Sequence, residues 1–153
     1  MSRILITGGS GLLAVNWALA VRNRFAVTLG LHQRSVSLAS VRTANIDLGS
    51  ADRLVAQIQD IGPDLVIHAA GLTSVERCES EPDLAWQVNV TTAANVAQAC
   101  SRLGVSHVHI STDHLFAVKE SMLDESAPVS PINVYGRTKA EAERQVIDRN
   151  PSA

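Results

Sequence analysis

The stretch Thr7-Gly8-Gly9-Ser10-Gly11-Leu12-Leu13-Ala14 decides how this chain folds. Ahead of the glycines, Arg3–Thr7 carries Ile4-Leu5-Ile6, an apolar run of strand length. Behind them, Leu12–Asn23 repeats apolar residues at Leu12, Val15 and Leu19, the spacing of a helix. A strand running through glycines into a helix opens a βα unit. In such a turn Gly8 permits the tight reversal, Gly11 lets the backbone approach a diphosphate, and the small Ala14 lets helix and strand pack closely. The unpaired amides at the helix start would then face negative charge. By itself a glycine pattern is also compatible with a plain strand-to-helix turn, so the surroundings must arbitrate.

The rest of the chain continues the alternation. Phe25–Leu31 returns to β-branched and apolar residues, and a third strand is expected around Ala44–Leu48. Ser50–Ile61 reads as a helix with Ser50 as N-cap and Gly62-Pro63 as its stop. Asp64–Ala69 looks like a strand buried on both faces. Asp83–Leu103 reads as one long helix ended by Gly104, and Ser106–Thr112 as the next strand. After a loop with Pro128 and Pro131, Asn133–Asp148 reads as the last helix. Strands alternating with helices imply right-handed crossovers and an α/β fold, a doubly wound parallel sheet with helices on both faces. With no repeat and no linker, residues 1–153 are expected to form one domain.

Composition narrows the partners. The 153 residues carry a net charge of −2, with 46% apolar, 18% charged and 3% aromatic residues. Scattered positive charge and scarce aromatics exclude a nucleic-acid-binding stripe. No apolar run reaches the roughly 18 residues of a membrane span, since Asn16 and Arg22 break the best candidate, and the N-terminus is too short in apolar residues for a secretory signal. Two cysteines, Cys78 and Cys100, form no disulfide framework, so a cytoplasmic location with free thiols is expected. His107 and His109, two apart on a strand, share a face, but no carboxylate or cysteine is spaced to complete a metal site. They read as ordinary strand histidines, and no metal is expected. The charges of Glu76, Arg77, Glu79 and Glu81 read as a solvated turn.

Four further places carry chemistry. After the second strand, Leu31-His32-Gln33-Arg34-Ser35 holds no carboxylate for the adenosine ribose hydroxyls, and Arg34 could pair with a 2′-phosphate. NADP(H) is therefore favoured over NAD(H), the alternative being a solvated loop arginine. Asp47-Leu48, after the third strand, stands where an adenine amine could bind, or simply precedes a helix. Tyr135 and Lys139 stand four apart, on one helical face, in a chain with a single tyrosine and two lysines. An ammonium so close favours the phenolate, which suits a phenol that gives a proton to a carbonyl oxygen while hydride reaches the carbon. The fifth strand ends at Ile110-Ser111-Thr112, and strand C-termini line the ligand crevice. Ser111 then belongs to the cofactor side, and the Thr112 hydroxyl could polarise a substrate carbonyl. Taken alone, a Ser-Thr pair there is a helix cap or turn.

Together these blocks resemble the extended short-chain dehydrogenases. The shared blocks are Thr7-Gly8-Gly9-Ser10-Gly11, His68-Ala69-Ala70-Gly71, Asn89-Val90, Ser111-Thr112-Asp113-His114-Leu115-Phe116 and Tyr135-Gly136-Arg137-Thr138-Lys139. The Gly-x-x-Gly-x-x-Ala spacing of the turn is that of short-chain dehydrogenases, while the Ser-Thr-Asp-x-hydrophobic-Phe block and Thr73-Ser74-Val75-Glu76-Arg77-Cys78-Glu79 resemble the dTDP-4-dehydrorhamnose reductase branch, which reduces a 4-keto sugar nucleotide with NAD(P)H. The resemblance covers nearly the whole chain and implies an NAD(P)-binding Rossmann fold. It implies Tyr135 as catalytic acid, Lys139 as its activator and ribose ligand, and Thr112 as donor to the carbonyl. It also implies that Gly8, Ser10, Gly11 and Leu12 cradle the pyrophosphate, that Asp47 and Leu48 flank adenine, and that Ala69, Ala70 and Gly71 line the cofactor cleft. Departures are Ala14 for the third glycine, His114 where the family often has tyrosine or phenylalanine, and Ala142 before Glu143.

Rival readings within the family are a sugar-nucleotide epimerase or dehydratase. Dehydratases carry a glutamate after Thr-Asp, where this chain has His114; the Val-Tyr-Gly that follows Ser-Thr in epimerases is absent after Ser111-Thr112. A different class of answer is a non-catalytic, cofactor-binding regulatory subunit. The sequence stops at Asn150-Pro151-Ser152-Ala153, while family members continue with a further strand and a C-terminal substrate lobe. That implies a truncated chain able to bind cofactor but poorly able to hold a sugar nucleotide. The sequence leaves the oligomeric state open; the resemblance implies a possible homodimer, with 83–103 and 133–148 as the candidate pairing helices.

Overall fold

Five parallel strands run side by side in the computed structural model, which describes residues 1–117, 123–124 and 126–153. Lys119, the second lysine, lies outside them. The strands are β1 (Arg3–Thr7), β2 (Ala26–Leu31), β3 (Arg42–Asn45), β4 (Leu65–His68) and β5 (Ser106–His109). Their order across the sheet is β3-β2-β1-β4-β5. The chain moves outward from β1 to β3, then crosses back to place β4 on the other side of β1. That reversal opens a crevice at the C-terminal ends of β1 and β4.

Both faces of the sheet are covered, as parallel strands require. On one face Ile4, Ile6, Val27, Leu29 and Ile67 pack with Ala14 and Ala18 of helix α1 (Leu12–Val21). On the other, Leu5, Val66 and Ile46 pack with Leu54 and Ile58 of α2 (Ala51–Ile61) and with Val96, Ala99 and Cys100 of α5 (Thr92–Leu103). The alternation of Ile4, Leu5 and Ile6 between the two faces is the two-residue period of a strand. Ser50 caps α2 by accepting from the Arg53 amide, and Gly62 (φ 63°) ends it in the left-handed conformation.

The structure corrects four boundaries read from sequence. The third strand is Arg42–Asn45, not 44–48, because its register with β2 runs from Thr28↔Arg42 to Leu31↔Asn45. The charged segment 75–80 is a short helix, α3 (Val75–Ser80), started by the Ser74 side chain accepting from the Arg77 amide. The expected helix 83–103 is broken into α4 (Pro82–Trp86), a π-helical turn (Gln87–Thr91) and α5. Finally, β5 ends at His109 because its partner β4 ends at His68, so Ser111 and Thr112 lie beyond the sheet. The last helix, α6 (Val134–Arg149), is capped by Asn133, whose side chain accepts from the Gly136 amide at 2.7 Å.

Candidate functional site

Two cavities meet at the C-terminal ends of β1 and β4, with Gly8 and Ala70 in the walls of both. The first, of about 430 Å³, is bounded by Gly8, Gly9 and Ser10, by Leu31 and His32 after β2, and by Ile46, Asp47, Leu48 and Gly49 after β3. The second, of about 370 Å³, is bounded by Gly11, Leu12 and Ala14, by Ala69, Ala70 and Gly71 after β4, and by Ile110, Ser111, Tyr135 and Lys139. Each is of the size of a small-molecule site.

The glycine turn divides the cavities. Gly8 has φ +68°, and a Cβ on it would come within 2.7 Å of the Ala70 backbone, so only glycine fits. Gly11 is the residue from which α1 starts, and its amide donates to the Gly8 carbonyl at 2.8 Å. No side chain caps α1 and no acidic residue stands in its first turn. Its free amides are left for a ligand.

Asp47 lies on the first cavity, its carboxylate held by the Gly49 amide at 2.9 Å and by Arg53 at 2.7 Å. These contacts, the Gly49 amide first, hold its carboxyl below the usual carboxylate range. Arg34 is exposed and lines neither cavity; His32 stands at the wall instead.

At the second cavity, α6 brings Tyr135 and Lys139 to one wall. The Tyr135 ring packs with Cys78 and Ala85 and meets the His114 ring edge-on at 5.3 Å between centroids. Gly136 follows because a Cβ there would collide with the His114 carbonyl. Lys139 is buried, and its Nζ donates to the Ile110 carbonyl at 2.6 Å and lies 3.2 Å from His109 Nε2. Burial pulls its pKa down to about 8. The Ser111 hydroxyl oxygen is buried at the same wall with no hydrogen-bond partner among the described residues. Thr112 lines neither cavity; its hydroxyl accepts from the His114 amide at 3.3 Å and caps the 3-10 turn Asp113–Leu115.

Sequence reasoning missed three contributors. Asn89, in the π-helical turn, accepts from the Leu72 amide at 2.7 Å and donates to Thr138 on α6 at 3.0 Å. His68 and His109 stack at 5.5 Å between ring centroids, with Thr7 Oγ1 2.7 Å from His68 Nδ1. The sequence did carry these residues, in the blocks His68-Ala69-Ala70-Gly71 and Asn89-Val90 and in the strand histidine His109, but nothing in it specified these contacts. Among the described residues, no group of three or more His, Cys, Asp or Glu is placed to hold a metal ion, and no helix is long and apolar enough to cross a membrane.

The residues fit a dinucleotide. An uncapped helix start, a turn that excludes any side chain at Gly8, and an unpartnered buried hydroxyl at Ser111 all border one divided cleft. Fold and site together define a Rossmann-type α/β domain with a tyrosine–lysine pair at its crevice. The chain belongs to the family described as RmlD substrate binding domain, which matches residues 1–153. It is 33% identical to a dTDP-4-dehydrorhamnose reductase of Sinorhizobium fredii, over 98% of this chain and 47% of that protein. It is 31% identical to methionine adenosyltransferase 2 subunit beta of Rattus norvegicus, over 99% of this chain and 44% of that one. The crystal structure of a dTDP-4-dehydrorhamnose reductase from Bacillus anthracis in complex with NADP matches with a TM-score of 0.82 and 28% identity, over 98% of this chain and 51% of that one. The chain thus spans about half the length of the relatives it matches.

Proposed function

We propose that this chain is the cofactor-binding half of an NADPH-dependent reductase of a nucleotide-linked 4-keto sugar. The observation that carries the reading is the meeting of Tyr135 and buried Lys139 on the wall of a cavity that begins at the Gly8–Gly11 turn. In this reading the amides of α1 and the glycine turn hold the diphosphate, while Asp47, Leu48 and His32 flank the adenosine end. The nicotinamide cofactor would supply hydride to the substrate carbonyl carbon.

The chain's own residues handle the proton. Tyr135 gives its hydroxyl proton to the carbonyl oxygen, and the Lys139 ammonium on the same cavity wall stabilises the phenolate left behind. Lys139 keeps one donor for ligand hydroxyls after two polar atoms of the sheet end have engaged it. Ser111 offers an unengaged hydroxyl at the same wall. Thr112 is assigned the role of donor to the carbonyl oxygen, which requires its hydroxyl to turn from the 3-10 turn toward the crevice. NADP(H) is assigned over NAD(H) because the segment after β2 offers His32 and Arg34 and no carboxylate.

A second reading has support of its own. A relative of 31% identity is named as the beta subunit of a methionine adenosyltransferase, which supports reading this chain as a subunit of another enzyme, in which the dinucleotide cleft would bind cofactor without catalysis. Titration with NADPH and NADH, followed by turnover of a dTDP-4-keto sugar in a chain extended by the C-terminal half of its relatives, separates the two. Binding with turnover supports the reductase, and binding without turnover supports the subunit. Absence of dinucleotide binding would remove both.

A further inference from the structure

An ammonium has three hydrogens to donate, and the sheet end takes two of those on Lys139. One goes to the Ile110 carbonyl at 2.6 Å, and the second faces His109 Nε2 at 3.2 Å. A neutral imidazole accepts at Nε2 only when its own proton sits on Nδ1. That Nδ1 is buried and has no partner among the described residues. An unpaired buried donor destabilises the fold, and a leucine in the same place would avoid it. What the histidine adds is an acceptor facing the ammonium.

The ring is also held in place. His109 is the register partner of His68 across β4 and β5, and the two rings stack with 22° between their planes. His68 is anchored in turn by Thr7 at the end of β1, 2.7 Å from its Nδ1. Three strand ends thus set the direction of one imidazole. His107, two residues earlier on β5, is the natural contrast: both its ring nitrogens are buried and unpartnered among the described residues.

We propose that His109 is a positioning residue, whose Nε2 holds Lys139 so that a single ammonium hydrogen is left for the cavity containing Tyr135. Its bearing on catalysis rests on the reductase reading, whereas the contact itself does not. The titratable groups around Lys139 are His109 and His68 from the strands, with Tyr135 and Glu143 from its own helix. His107 acts on His109 from two residues back along β5.

The chain has two lysines, so carbon-labelled lysine gives two side-chain NMR signals to follow against pH. In His109→Leu the Lys139 midpoint falls by about one pH unit, a tenfold change in the ratio of ammonium to amine. His109→Gln, which keeps an acceptor, stays near wild type, and His107→Leu leaves the midpoint unmoved. An unchanged midpoint in His109→Leu, or an equal fall in His107→Leu, overturns the proposal. Nitrogen NMR of wild-type histidines decides it without any variant: His109 carries its proton on Nδ1, and an Nε2–H tautomer overturns the assignment. None of these readings uses cofactor or substrate. Failure of the reductase reading shows separately, as wild-type chain that does not bind NADPH.

Discussion

Asn89 Nδ2 donates to Thr138 Oγ1 at 3.0 Å, tying the π-helical turn to the helix turn between Tyr135 and Lys139. The same amide closes two bonds with the Leu72 backbone, and the Thr138 hydroxyl passes the chain on to the Tyr135 carbonyl at 2.8 Å. Asn89→Leu leaves the Leu72 amide and carbonyl without these partners. It should destabilise the fold by about 3 kcal/mol, against about 1 kcal/mol for Thr138→Val. Urea unfolding of both variants measures this, and a loss below about 1 kcal/mol for Asn89→Leu would show that the bridge contributes little.

Gly8 and Gly104 both have positive φ, but only Gly8 is crowded. A Cβ at Gly8 meets the Ala70 backbone at 2.7 Å, while one at Gly104 meets nothing within 4 Å. Gly104→Ala should cost about 1 kcal/mol, the left-handed penalty alone. Gly8→Ala should cost about 2–4 kcal/mol and weaken NADPH binding at least tenfold, since the turn must open to admit the methyl group. Equal costs at the two positions would mean that the contact with Ala70 relaxes freely.

Tyr135→Phe keeps the ring among Cys78, Ala85 and His114 and removes only the hydroxyl. In an active, extended chain, reduction should fall by about 10²-fold or more, with NADPH affinity unchanged within about threefold. Steady-state kinetics beside a binding titration test the assignment. Surviving turnover would move the proton donor elsewhere.

His107, like the buried His68 and His109, should make the fold acid-sensitive. Burial holds its pKa at about 4, below the ordinary 6.5. The neutral ring's contribution is therefore whole above pH 6.5 and is lost as pH falls toward 4, because the unfolded chain takes up the proton first. Wild type should lose about 3 kcal/mol more than His107→Leu between pH 7 and pH 4. Urea midpoints at pH 7, 5.5 and 4 give the comparison, and parallel losses would place the acid sensitivity at other groups.

Much of this was legible along the chain. Apolar runs of strand length, helical spacings and the Gly8–Gly11 turn specify the order of elements, since each reflects a local period or a local backbone need. The Tyr135–Lys139 spacing likewise puts both groups on one face of α6. The π-helical turn at Gln87–Thr91 was hidden because its residues keep the helical pattern, and the capped start of α3 was masked by its charge. Thr112 shows the converse case: a strand end was expected, but β5 stops where its pairing with β4 stops.

The alternation of elements, and with it the class of fold, follows from the sequence by itself, because periodicity is a property of neighbouring residues. What surrounds Lys139 does not. Strand register set His68 beside His109, and the docking of α6 brought the lysine's Nζ to Ile110 and His109, some thirty residues back in the chain. Those partners are chosen by packing between distant segments, and burial in that packing is also what lowers the lysine's pKa to about 8.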